Sequence, residues 1–424
     1  MTANRVYYGW TIVSLGFVNL AVAFGVWYSF SVFFIAIFKE FGWSRAATAG
    51  VFSVFTLVHA LSGLVVGCLL DRFHPRILIP IGSILIAAGL FLTSRTASLV
   101  EIYFYYGVIT SLGICLIGLI PTSFLTSKWF LAKRGLAMGF ASAGIGLGTL
   151  IFIPLIQYAV ANVGWRITYL LMAISVLILI VPPNTLLQRK NPAEVGLAPD
   201  GEIMNTLPPL SSLRDPAEGR TSSLYPASIS DVLKARSFWC LFLTFFATPF
   251  AVQGVIIHQV AYMLDRGFSA QMGAYIFGLI GLLGSLGKIL FGHFSDRLGR
   301  SLALTLGLGI TSAGIVCLML SKSEGAALIY FYAILFGLGY GSIAPIFPSR
   351  AADLFQGPWF GRIYGVLSFS AGLGAAAGAW FNGRIYDLTQ SYQIAFLASL
   401  GALSVSIVFF WHTGPRLTVE NQRQ

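Results

Sequence analysis

Lys288 is the side chain with the most chemistry to offer. It stands in the run Gly281–Gly292, and no other Asp, Glu, Lys or Arg occurs between Arg266 and Asp296. Eight helical residues at ~1.5 Å each place it roughly 12 Å inside that apolar stretch. In a hydrocarbon slab about 30 Å thick, this is near the midplane. A lysine there costs roughly 2.5–3.5 kcal/mol on insertion scales, so it needs a function or a partner. No acidic residue occupies an equivalent depth. The chemistry implied is reversible binding of an anion.

A second constellation occurs twice. Gly67, Asp71 and Arg72 recur as Gly292, Asp296 and Arg297, all at an offset of 225. The glycine permits close helix approach, and the aspartate can accept from helix N-termini or pair with a base. At a helix end such a group can hold one conformation shut and release it in another. These six residues are expected to form a conformational latch.

Aromatic and titratable residues supply candidate walls. Tyr332, Phe336 and Tyr340 repeat at i, i+4 and i+8, a stripe expected to line a pathway beside Lys288. His59 is the repeat counterpart of Gly284 and is the candidate proton site. His258, with Gln253, and more weakly Asn382, fall in the outer half of their spans and are candidates for the exit.

The elements that must position these groups follow from composition. The chain has 424 residues, 57% hydrophobic and 10% charged, against about 25% charged in soluble domains. Its mean hydropathy is +0.81. Apolar stretches near 20 residues long predict an all-α membrane protein of twelve transmembrane helices. These fall at 9–37, 46–70, 77–94, 99–126, 136–161, 166–185, 237–264, 270–293, 301–320, 326–348, 361–383 and 391–412. The net charge of +11 is distributed by topology, 18 of the 26 Lys and Arg falling on one side, so both termini are expected in the cytoplasm. This pattern orients a protein in a bilayer and argues against nucleic acid. Cys68, Cys115, Cys240 and Cys317 lie in apolar segments, giving neither a disulfide framework nor metal spacing. No cofactor is expected.

Residues 186–235 are rich in Pro, Ser and charge and read as a cytoplasmic linker between halves at 1–185 and 236–424. The halves repeat one another. Ala143–Gly146 matches Ala371–Gly374 and Tyr158 matches Tyr386, both at an offset of 228. Two copies of a six-helix unit related by an axis along the membrane normal suit a rocking carrier with its site at mid-depth between them. Gly144, Gly146, Gly372 and Gly374 are candidates for points of flexing, with close helix packing as the alternative reading.

The duplicated loop resembles the signature of the major facilitator superfamily over the whole chain. Further residues resemble its monocarboxylate transporter branch and bacterial relatives, including oxalate/formate antiporters. They are Tyr8-Gly9-Trp10, Ser31 to Phe34, Lys39 to Phe41, Ser111 to Pro121, Lys128 to Gly139, Phe336 to Gly341 and Phe360 to Gly365. The resemblance implies that Lys288 stands where the branch has a carboxylate-binding arginine. Proton-coupled members carry an acid one turn earlier, where this chain has Gly284, and a first-span lysine, where it has Tyr28. Tyr28 is therefore a candidate wall of the substrate path. The oxalate/formate type carries a second cation in the eleventh span, absent from Phe369–Trp380.

The expected function is secondary transport of a small organic anion, a monocarboxylate such as lactate, pyruvate or formate, with or without a proton. A dicarboxylate antiporter and a non-transporting anion sensor are the alternatives. A monomer in a bacterial inner membrane is expected, and nothing in the sequence suggests an enzyme.

Overall fold

The computed structural model describes residues 7–43, 45–201, 229–322 and 327–414. Most of the 186–235 linker, Ser44, and the basic residues Arg5, Arg214, Arg220, Arg416 and Arg423 lie outside these.

Twelve helices are long and apolar enough to cross a membrane. Spans 1–6 are Gly9–Phe41, Arg45–Arg72, Pro75–Ser94, Leu99–Trp129, Arg134–Val163 and Trp165–Leu187. Spans 7–12 are Arg236–Asp265, Ala270–Leu298, Arg300–Leu320, Ala327–Phe355, Phe360–Thr389 and Gln393–Trp411. They form two pseudo-symmetric six-helix bundles. A helix satisfies its own backbone within the segment, which a bilayer demands of anything that spans it.

Within each bundle the first span packs along the fifth. Gly144 of span 5 lies on the Phe17 carbonyl of span 1, and Gly374 of span 11 on the Phe246 carbonyl of span 7. A side chain at either would collide with backbone, so these glycines serve close packing. In the first half the core is aromatic, with Phe33 stacked on Tyr169 and Phe30, Phe52 and Phe55 around Tyr106. Asn19 and Asn184 exchange side-chain hydrogen bonds of 3.0 and 2.8 Å and tie span 1 to span 6.

Both fourth spans are interrupted at matched depth. Span 4 has a π-helical stretch over Tyr103–Thr110 and a break at Gly118. Span 10 divides into Ala327–Tyr340 and Ile343–Phe355. Discontinuous helices of this kind are how membrane carriers bring backbone and side chains to a site at mid-depth.

The two halves meet along span 2 against span 11 and span 5 against span 8. At the face carrying the linker this seam is tight. Gly67 abuts Gly361, Gly135 abuts Gly292, and Ser123 Oγ donates to Tyr364 Oη at 3.2 Å.

Candidate functional site

Lys288 is 3% exposed, and its Nζ is enclosed with no hydrogen-bond partner. The Tyr340 ring lies against it, its centroid 5.4 Å from Nζ. Two glycines set that ring over the amine. Gly341, at the break in span 10, lies so close to span 8 that a Cβ there would stand 2.8 Å from the Lys288 amide nitrogen. Gly284 lies under the ring itself, where a Cβ would come 2.5 Å from Tyr340 Cε1. The place where an acid would face the lysine is thus filled by an aromatic ring.

Tyr28 approaches from span 1 of the other half. Its hydroxyl is within electrostatic reach of Tyr340, yet the residue is 42% exposed. Lys288 and Tyr340 thus face one another from spans 8 and 10, with Tyr28 of the other half within electrostatic reach of Tyr340. A cation beside a phenolic ring suits a carboxylate.

The remaining candidates are not at this point. Tyr332 and Phe336 are fully enclosed. Tyr332 Oη donates to Gln259 Oε1 of span 7, and Phe336 packs on Gly314 of span 9. The stripe turns because four residues advance a helix by 400°, so two steps rotate Tyr340 roughly 80° away from Tyr332. Tyr332 and Phe336 are thus packed inside the second half, Phe336 stacking on Tyr340 with ring centroids 6.2 Å apart, and only Tyr340 stands over Lys288. His258 differs too. Its Nε2 lies 2.9 Å from the Ala379 carbonyl and its Nδ1 3.3 Å from Tyr392 Oη, so both nitrogens tie span 7 to its neighbours.

His59 packs edge-on against Trp27, ring centroids 4.7 Å apart, and its Nδ1 is enclosed without a partner. Asn382 is wholly buried against Gly254, with both amide atoms unpartnered.

At the linker face the two aspartates of the duplicated loop act across the seam. Asp71 accepts from the amides of Gly361 (2.9 Å) and Arg362 (3.1 Å), the first turn of span 11. Asp296 accepts from the amides of Gly135 (2.8 Å) and Leu136 (2.7 Å), the first turn of span 5. A carboxylate at a helix N-terminus satisfies orphan donors and the positive end of the dipole together. Arg72 and Arg297 are exposed and make no hydrogen bond or ion pair among the described residues. Their expected part falls to other bases. Arg300 bridges Asp296 and Asp353, and Arg134 reaches across the seam to Asp353 and Gln356. Arg362 lies 3.9 Å from Asp71. One signal pointed to this pair of bases: Arg134 and Arg362 are 228 apart, each beginning the fifth span of its half. Asp353 has no matching acid, since position 128 is Lys, and the repeat gave no pointer to it.

The head of the linker is also structured. Lys190 Nζ donates to the carbonyls of Leu70, Asp71 and Phe73 at 3.1–3.4 Å, closing the end of span 2. Glu194 accepts from the Lys190 and Asn191 amides and pairs with His74 at 3.2 Å. Asp200 accepts from the Leu131 and Ala132 amides. Burial holds the Lys190 ammonium below its ordinary pKa, while Asp71 and Glu194 pull it back up.

Comparison with known proteins agrees with this architecture. The sequence profile of the Major Facilitator Superfamily matches residues 15–379, with a second match at 285–424. The chain belongs to that superfamily. It is similar to monocarboxylate transporter 13 of Bos taurus, 26% identical over 420 residues, covering 96% of this chain and 91% of the relative. It is also 26% identical over 384 residues to the oxalate:formate antiporter of Oxalobacter formigenes, covering 88% and 86%. Among solved structures, the xylose symporter XylE superposes with a TM-score of 0.77 at 13% identity, covering 96% of each chain. The human organic anion transporter MFSD10 gives 0.73 at 15%, covering 96% of this chain and 99% of the other. At such identity these two speak to the fold alone. The chain is thus a superfamily transporter, a multi-pass membrane protein and not an enzyme, similar at 26% identity to a monocarboxylate transporter and to an oxalate:formate antiporter.

Proposed function

We propose that the protein carries a small monocarboxylate across the membrane by rocking its two halves about the site at Lys288. The observation that carries this reading is the enclosed, unpartnered Lys288 ammonium under the Tyr340 ring, with Tyr28 of the other half in electrostatic reach of that tyrosine. A singly charged acid neutralises it, lowering the cost of closing the halves over the site. The relatives named monocarboxylate transporter and oxalate:formate antiporter support a carboxylate. One cation at the site, and none between Phe369 and Trp380, favours one carboxylate over two.

The tight seam at the linker face supports a state shut on that side and accessible from the other, with Asp71 and Asp296 holding it shut. By the bias of basic residues we assign the linker face and both termini to the cytoplasm, in a bacterial inner membrane. The working unit is one chain, divided at 1–185, 186–235 and 236–424. His59 is the site for a proton if one accompanies the acid, its Nδ1 being free to accept it.

Counterflow in proteoliposomes with lactate, pyruvate, formate and oxalate, with and without a pH gradient, tests the reading. Exchange of monocarboxylates is expected. Exchange of oxalate in preference would replace it with dicarboxylate antiport, and binding without any flux would make the protein a sensor.

A further inference from the structure

We propose that span 11 has two registers against span 7, one helical turn apart, and that passage between them works the latch at Asp71.

The two spans meet as a ladder with a rung at every fourth residue. Ser370 Oγ donates to the Phe242 carbonyl at 2.8 Å, Gly374 lies on the Phe246 carbonyl, and Gly378 lies on the Phe250 carbonyl. The next rung sets Asn382 against Gly254, where a Cβ would stand 2.7 Å from Asn382 Nδ2. Asn382 is wholly buried, yet neither amide atom has a hydrogen-bond partner. A buried donor and acceptor left open in this way destabilise the register that leaves them so. The first half shows what packing alone would choose. Its ladder runs Gly144 on Phe17, Gly148 on Ala21 and then Phe152 on Gly25, so an apolar ring stands where the second half has the amide.

Rungs repeating at one-turn spacing let the ladder re-form after a slide. When span 11 moves one turn away from the linker face, Ser370 comes level with the Phe246 carbonyl, Gly374 with the Phe250 carbonyl and Gly378 with Gly254. Asn382 comes level with His258, whose Nε2 donates here to the Ala379 carbonyl at 2.9 Å. The helix already supplies that carbonyl with a donor, so the imidazole gives up little by turning to Asn382 Oδ1. Glycine at two rungs and serine at a third leave little to collide in such a ratchet. The same displacement, about 5.4 Å, lifts the first turn of span 11 off Asp71, which holds the Gly361 and Arg362 amides at 2.9 and 3.1 Å. The seam at the linker face then opens. One register is locked at Asp71 and unsatisfied at Asn382; the other is released at Asp71 and satisfied at Asn382.

Asn382→Leu tests this, alone and with His258→Phe, in a cysteine-free background carrying Ser123→Cys at the seam. Leucine removes the open amide, so the unfolding temperature should rise by a few degrees. It also removes the second partner of His258, so alkylation of the cysteine should slow roughly tenfold. His258→Phe should slow alkylation as well, and the double variant should be no slower than Asn382→Leu alone, because both changes act on one bond. Neither measurement needs a substrate, so the outcome is independent of the carboxylate reading. An Asn382→Leu protein that unfolds earlier than its parent, that is alkylated at the parent's rate, or whose slowing multiplies with that of His258→Phe overturns the proposal.

Discussion

Replacing Lys288 by methionine should make the protein more stable and unable to hold its substrate. The change keeps the length and apolar stem of the side chain and removes only the ammonium, which is enclosed and has no hydrogen-bond partner. Relieving an unpaired charge at mid-membrane depth is worth roughly 2.5–3.5 kcal/mol. Loss of the cation–π contact with Tyr340 returns about 0.5–2 kcal/mol of that. The net gain is about 0.5–3 kcal/mol, a rise of up to a few degrees in unfolding temperature. A carboxylate would lose a charge-assisted hydrogen bond worth about 1.5–3 kcal/mol, or roughly tenfold to a hundredfold in affinity. Thermal unfolding with and without lactate, pyruvate or formate reads both effects. Wild type at a hundred times Kd should gain about 2.7 kcal/mol from the ligand. Lys288→Met should start higher and gain little. A variant less stable than wild type would mean that the lysine has a permanent partner. One that still responds fully to the acid would mean that the carboxylate binds elsewhere.

Other changes read neighbouring parts of the same design. Gly284→Asp puts a carboxylate where the Tyr340 ring now lies, so binding of the substrate anion should be lost at neutral pH, measured by the same thermal shift. Gly139→Val sets side-chain atoms against the Lys288 carbonyl at the seam. It should hold the linker face apart, seen as faster alkylation of a cysteine placed at Ser123 in a cysteine-free background. Asp353→Asn removes the carboxylate that Arg134 and Arg300 share and should cost about 1.5–3 kcal/mol, more than Asp71→Asn, in paired unfolding experiments. His258→Phe removes two hydrogen bonds within the second half and should lower stability by roughly 1–3 kcal/mol while leaving the KM for the acid unchanged.

Much of this protein is written locally in its chain. Spans are legible because a bilayer forces each helix to be long, apolar and self-satisfied, so sequence windows alone find them. Lys288 stands out for the converse reason: a charge deep in such a window needs a function or a partner. The paired Asp71 and Asp296 showed themselves through duplication, since a motif that appears twice at one offset is read against its own copy.

What the tertiary structure decided concerns partners and faces. Arg72 and Arg297 stand next to the aspartates in sequence but are exposed, whereas Arg134 reaches Asp353 across the seam and Arg300 pairs with Asp296 and Asp353 within its own half. The aromatic stripe of span 10 stays in ring contact along its length, but helical precession brings only Tyr340 over the lysine while Tyr332 turns to Gln259. His258 proved to be tied at both nitrogens by spans that no local pattern could bring to it. Composition and periodicity fix which residues must leave water. Which of them then face one another depends on contacts between distant segments, and the sequence encodes those only through the whole folded chain.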